Sequence, residues 1–367
     1  RAAARGGYTM VCLQPDEARP LDRPEAVARM VTAAAVATGV RVMAGAAASG
    51  NEDRLAELGA LAEAGATAVV APPGSSAAQV RSALLYLAPL GLPLVVRPED
   101  ASLAGARPMR AGPTATRLGL SGWPASAEVV VVERDIALAE EVGGGIHLAS
   151  LSTGGALDAV RRARARGVDV TCDVTPHHLA LSDRWIAGDR RFAWDAAEPR
   201  AFDDPLDPQL AYDGACRVDP PLASRADAAA LLTAVDDGSV DAIATDHRPQ
   251  PPQRKVVEFS AATPGIVGLQ TALSLGLAAA AAGRIDLVTL LAALSSRAAM
   301  RVGERRGLAI GQPADLVIFD PTATWQVERE ALASVHANTP LLGRELPGVV
   351  RLTVAAGRLT YDDLGPG

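Results

Sequence analysis

The sequence predicts an α/β fold: a TIM-like (β/α)8 barrel with a small β-rich domain formed by its C-terminal segment. Three observations carry that prediction. Short apolar β-rich runs alternate with amphipathic Ala/Leu/Arg stretches over most of the 367 residues, the pattern of repeated strand-helix units around a parallel sheet. Several of the apolar runs lead into turns holding His or Asp, as the strand ends of a barrel do when they carry function. Past Gly307 the texture changes to short strands without long helices between them.

Taken in order, residues 8–13 read as the first strand visible, and 23–38 as a helix opened by Asp22 as N-cap with Pro24 in its first turn. Further strands are predicted over 40–46, 68–71, 94–97, 145–151, 169–174 and 242–246. Helices are predicted over 51–63, 76–87, 133–142, 154–166, 225–235, 269–282 and 287–300. The Pro/Asp-rich stretch 199–212 reads as a loop over the barrel mouth. Residues 315–320, 325–327, 349–355 and 358–361 read as strands of the small domain. The boundary falls near Gly303, giving a barrel over 1–303 and the β-domain segment over 304–367. Arg1 falls in what reads as the end of a helix with no strand before it, so either the first barrel strand lies outside this sequence or the barrel is incomplete.

Composition narrows the function classes. The net charge is −7, with no basic cluster, which argues against a nucleic-acid partner. No apolar run approaches the roughly 20 residues of a membrane span, so no membrane association is expected. Three cysteines (Cys12, Cys172, Cys216), with no C-x-x-C pair, disfavour a disulfide framework and a thiolate zinc site and suit a reducing cytoplasm. Lysine occurs once, at Lys255, and no predicted strand end offers one as a carboxylated, metal-bridging ligand.

Nine segments in chain order then resemble the dihydroorotases, cyclic-amide hydrolases of the amidohydrolase superfamily. They begin with Ala2-Ala3-Ala4-Arg5-Gly6-Gly7-Tyr8-Thr9, Arg97-Pro98-Glu99-Asp100 after Pro89-Leu90-Gly91-Leu92-Pro93, and Ile146-His147-Leu148-Ala149-Ser150-Leu151-Ser152-Thr153. Thr171-Cys172-Asp173-Val174-Thr175-Pro176-His177-His178-Leu179, Val218-Asp219-Pro220-Pro221-Leu222 and Ile243-Ala244-Thr245-Asp246-His247 follow. Pro264-Gly265-Ile266-Val267-Gly268-Leu269-Gln270-Thr271 comes next, with Ala314-Asp315-Leu316-Val317-Ile318 and Asn338-Thr339-Pro340-Leu341-Leu342-Gly343 in the tail.

The resemblance implies a barrel that opens or closes a cyclic amide with a water activated between metal ions. Imidazole and carboxylate ligands would be needed. The family's pattern has a His-x-His pair on the first strand, which lies upstream of Arg1. Its bridging acid corresponds to Pro73, which has no side-chain donor atom, and the His of its His-Ala-Glu-Asp motif to Arg97, a fixed cation. The second His of its fifth strand corresponds to Ser150, while Asp246 keeps the acid that handles the proton, so a vestigial acid/base position is expected there. Substrate positions change in parallel: Pro15 and Asp219 stand where the family has Asn, Ala223 where it has Arg, and Gln250 where it has His.

Other histidines have plainer readings. His177 and His178 read as buried side chains bonded to backbone rather than ligands, and His147 as a core-edge residue beside the pocket. His247 reads equally as a proton relay for Asp246 or as a hydrogen-bonded support of the strand end. Arg97 is expected to pair with Asp246, a buried ion pair in the old metal pocket. The resemblance implies a catalytically inactive dihydroorotase-like protein of de novo pyrimidine biosynthesis, with no cofactor and no bound metal. It would form an oligomer with aspartate carbamoyltransferase, as non-catalytic homologues do. The rival expectation is an active amidohydrolase whose zinc is held by Asp246 and an upstream His-x-His pair.

Overall fold

The computed structural model describes residues 1–16, 20–37, 39–49, 54–195, 207, 209–304 and 307–364. Seven strands form one parallel sheet: β1 (Met10–Leu13), β2 (Arg41–Ala47), β3 (Ala66–Ala71), β4 (Leu94–Val96), β7 (Ile146–Leu148), β8 (Val170–Val174) and β9 (Ala242–Ile243). They pair in chain order, β1-β2-β3-β4-β7-β8-β9. The gap in numbering is filled by a small parallel ladder, β5 (Met109–Arg110) and β6 (Gly122–Trp123), inserted between β4 and the helix Ser126–Val142. All seven predicted barrel strands are therefore present. Parallel strands are covered on both faces, which is why they read as near-continuous apolar runs.

Each connecting helix turns its apolar side onto the sheet. Leu84 and Leu87 of Ala77–Leu87, Val132 and Ile136 of Ser126–Val142, and Leu157 and Val160 of Gly154–Ala165 bury against Val69, Leu94, Val96, Ile146 and Leu148. Starts are marked by side-chain caps, each contributing about 1 kcal/mol. Ser76 and Gln79 form a reciprocal capping box, and Thr153, Ser224 and Asp286 accept from the third amide of their helices.

The small sheet is antiparallel, with β10 (Leu316–Gln326) beside β11 (Glu345–Ala355) and β11 beside β12 (Arg358–Asp362). The two short runs expected at 315–320 and 325–327 are one strand, interrupted by an irregularity between Asp320 and Thr324. This sheet packs on the helix Ala272–Ala281, with Trp325 Nε1 donating to Ser274 Oγ at 2.9 Å.

Several element bounds differ from expectation. The helix predicted from 133 starts at Ser126, because Val129–Val132 is a β-branched run that disguises its first turns. The helix predicted over 287–300 is two, Leu287–Leu294 and Ser296–Arg301, broken at Ser295 (φ −132°, ψ −88°). Of the helix expected over 51–63 only Leu58–Glu63 is helical among the described residues. Most of the loop expected over 199–212 lies outside the described residues.

Candidate functional site

Every barrel strand end expected to matter stops one to three residues short of the residue that faces the mouth. β4 ends at Val96 and Arg97 follows; β7 ends at Leu148 and Ser150 follows; β9 ends at Ile243 and Asp246 follows. Ser150 (φ 58°) and Asp246 (φ 41°) both adopt left-handed backbone, a conformation costing a non-glycine residue about 1–3 kcal/mol and concentrated at functional sites. The Ser150 amide donates to Asp173 Oδ1 at 2.7 Å, which holds that turn.

The expected pairing of Arg97 with Asp246 is not what the structure shows. Arg97 reaches across to the segment before the helix Arg225–Asp236, donating from Nη2 to Asp219 Oδ2 and from Nη1 to the Asp219 carbonyl, both at 3.2 Å. Asp246 instead accepts from Nε of Arg248 at 2.8 Å. The physical reason is local: Arg248 lies two residues from Asp246, so the acid is paired within its own turn, and Asp219 offers Arg97 two acceptors at once. Burial raises the Asp246 carboxyl above its ordinary value, with Arg248 and then Arg97 opposing the rise.

An isolated Asp219 carboxylate at the mouth would repel an anion. Here Arg97 neutralises it. Two further charges complete the cluster. Glu99 is pushed upward by burial and by Asp219, against Arg97 and Arg217, and Arg217 is pulled down by burial beside the same two acids.

The remaining residues singled out from sequence fall around this centre. His147 bonds Asp173 Oδ2 through Nε2 at 2.9 Å and Thr171 Oγ1 through Nδ1 at 2.8 Å, so both ring nitrogens are engaged. His178 is fully buried between Thr175 Oγ1 (2.7 Å) and the Pro220 carbonyl (3.0 Å), and burial holds it down at about 4. His247 accepts from the Gly268 amide at 3.1 Å through Nδ1, so that nitrogen is turned to the backbone. Gln250 donates its backbone N–H to Asn338 Oδ1 at 2.8 Å and its side-chain Nε2 to the Pro264 carbonyl at 3.4 Å, Pro15 follows β1 half-buried, and Pro73 is exposed in the turn after β3.

Sequence reasoning missed Asp173, Arg217, Arg248 and Lys255. Lys255, 5% exposed, donates to the carbonyls of Arg217, Thr263 and Gly265 at 2.9–3.0 Å, and burial pulls it down to about 8. Its singularity was the one available signal.

This donor set does not fit a pair of divalent cations. Pro73 offers no donor atom, Arg97 is a cation already bound to Asp219, Ser150 offers a neutral hydroxyl, and Asp246 is held by Arg248. Among the described residues no three His, Cys, Asp or Glu side chains gather to share an ion.

With this geometry in place, the fold can be matched to solved structures, and it is that of the hydantoinases. The L-hydantoinase (dihydropyrimidinase) from Arthrobacter aurescens superposes with a TM-score of 0.83 at 20% identity, over 99% of this chain and 79% of that one. The D-hydantoinase (dihydropyrimidinase) from Thermus sp. gives 0.76 at 21%, over 99% and 78%. Sequence narrows this further. The chain is 41% identical over 369 residues to a dihydroorotase of Anaeromyxobacter dehalogenans (strain 2CP-1 / ATCC BAA-258), covering 99% of this chain and 80% of that protein. It is 37% identical over 367 residues to one of Pelobacter propionicus (strain DSM 2379 / NBRC 103807 / OttBd1), covering 98% and 81%. No protein-family profile matches it. The chain belongs to the dihydroorotase family.

Proposed function

We propose that this chain is a non-catalytic member of the dihydroorotase family, acting in pyrimidine biosynthesis as a structural partner of aspartate carbamoyltransferase. The observation that supports inactivity is the internal pairing of the mouth: Arg97 with Asp219 and Asp246 with Arg248. A water can attack a cyclic amide at neutral pH once a metal has lowered its pKa, and these side chains offer a dication two occupied acids and two arginines. The carbamoyltransferase is carried by the family resemblance of the sequence.

Metal analysis of the purified protein together with a dihydroorotate ring-opening assay tests the first half. The expected result is zinc well below one equivalent and no turnover; stoichiometric zinc with turnover overturns it. Co-elution with the cognate aspartate carbamoyltransferase in size-exclusion chromatography tests the second half, and separate elution rejects it.

A second reading, an active enzyme with a reduced metal site, is favoured by the retained Asp246 and by 41% identity to a protein named dihydroorotase. The same assay decides between the two.

A further inference from the structure

Two departures from the family pattern, Arg for His at 97 and Asp for Asn at 219, are 122 residues apart in sequence and touch each other. Neither is intelligible alone. A guanidinium at a half-buried strand end is a charge partly stripped of water, and a carboxylate at 219 stands beside Glu99, a second acid. Together they form a two-pronged contact, one prong to the carboxylate and one to the main-chain carbonyl of the same residue.

The contact lies within a segment that is tied down along its length. The Arg217 carbonyl accepts from Lys255 Nζ and the Gly265 amide, the Val218 carbonyl from Arg217 Nη1, and the Asp219 carbonyl from Arg97. The Pro220 carbonyl faces His178 Nε2, and the Ala223 carbonyl accepts from the Asp183 amide. Arg97 supplies the tie from the barrel sheet itself: of these donors it alone directly follows a sheet strand, β4. In a metal-dependent site a cation shared by ligands on different strands would provide that kind of cross-connection.

We propose that Arg97 and Asp219 act as a single unit, a built-in cation and carboxylate that replace the connecting work of a metal centre by latching residues 217–223 to the end of β4. This deepens the reading of the chain as metal-free and non-catalytic and rests on it. The latch makes the stability of the mouth independent of any added ion. It also couples the two substitutions energetically, because removing one partner leaves the other charge without its direct contact and facing only Glu99 or Arg217, whereas removing both leaves neither charge in excess.

The experiment is a double-substitution cycle on the full chain. Arg97→Met, Asp219→Asn and the pair are compared with the unmodified protein by thermal unfolding, each with and without EDTA and with one equivalent of zinc. Each single change is expected to lower the midpoint by about 2–5 °C. Arg97→Met is expected to cost more, since it leaves Asp219 facing Glu99. The pair is expected to lose less than the sum of the two, and neither chelator nor zinc is expected to shift any midpoint.

Additive losses overturn the latch. A fall in the midpoint of the unmodified protein on adding EDTA overturns the replacement of the metal. Should Arg97→Met not fold, the cycle is run with Arg97→Lys, which keeps the charge and removes the fork, with the same two outcomes decisive. Turnover of dihydroorotate is read separately. Activity with an intact coupling would sink the non-catalytic function and leave the latch standing, and inactivity with additive losses would do the reverse.

Discussion

His178 shows how a buried side chain adds to the acid sensitivity of this protein, alongside His177 and His247, which burial also holds down. Enclosed between Thr175 and the Pro220 carbonyl, it is held down at about 4 by burial first and by Arg110 second. The unfolded chain takes up a proton near pH 6.5, and the folded chain resists until about pH 4. Stability is therefore complete above about pH 6.5 and falls as pH drops toward 4, by up to about 3 kcal/mol from this one residue. His178→Gln should lower stability at neutral pH by about 1–3 kcal/mol and flatten the acid limb; urea unfolding between pH 4 and 7 measures both. An equally steep limb in the variant would show that the proton is taken elsewhere. At this scale the sequence was half legible. Residues of the mouth such as Arg97, Ser150 and Asp246 could be singled out from motifs, but that Arg97 chooses Asp219 over Asp246 depends on how two distant loops meet, and no local pattern encodes that.

The helix Ser126–Val142 carries a part invisible in its predicted form. Its true start includes Glu128, buried in the first turn, whose carboxylate accepts from the Ser152 and Thr153 amides and from both their hydroxyls. It thereby docks the N-terminus of the next helix, Gly154–Ala165, and stands 3.9 Å from the buried Arg110, which also donates to Ser152 Oγ at 2.5 Å. Glu128→Ala removes these acceptors and leaves Arg110 buried without its anion, so a loss of about 3–5 kcal/mol is expected in chemical denaturation. Glu128→Gln, which keeps the shape and one acceptor but not the charge, should lose less; equal losses would mean that the charge itself, rather than packing or a neutral acceptor, is at stake. Strand and helix identity was readable because apolar period is a local property. Element ends were less so: the β-branched run at 129–132 and the break at Ser295 are decided by neighbours in space.

Across the whole molecule, the small sheet and the barrel are fastened at several separate points. Trp325 bonds Ser274, Thr353 Oγ1 donates to the Ala4 carbonyl at 2.8 Å, and Arg41 of β2 pairs at 3.8 Å with Asp315, which directly precedes β10. Gly348 (φ 91°) lies so close to Leu277 that a Cβ would come within 2.4 Å of its Cδ1. Fastening of this kind couples the two parts, so one unfolding transition is expected, with tryptophan fluorescence and far-UV circular dichroism tracing coincident curves. Two separated transitions would show that the sheet melts by itself. The overall architecture was the most legible level, since alternation of strand and helix along the chain translates directly into the order of strands in the sheet.

The enclosure of Lys255 carries one more consequence. It is the only ammonium-bearing side chain in this sequence, and three carbonyls fill its three donors. Amine-directed reagents, whether acylating labels, immobilisation resins or bifunctional cross-linkers, therefore have a single side-chain address here, and it is shut. Modification at that nitrogen would register an excursion in which the wall around Arg217 has swung open, so the chain contains its own chemical tell-tale for breathing.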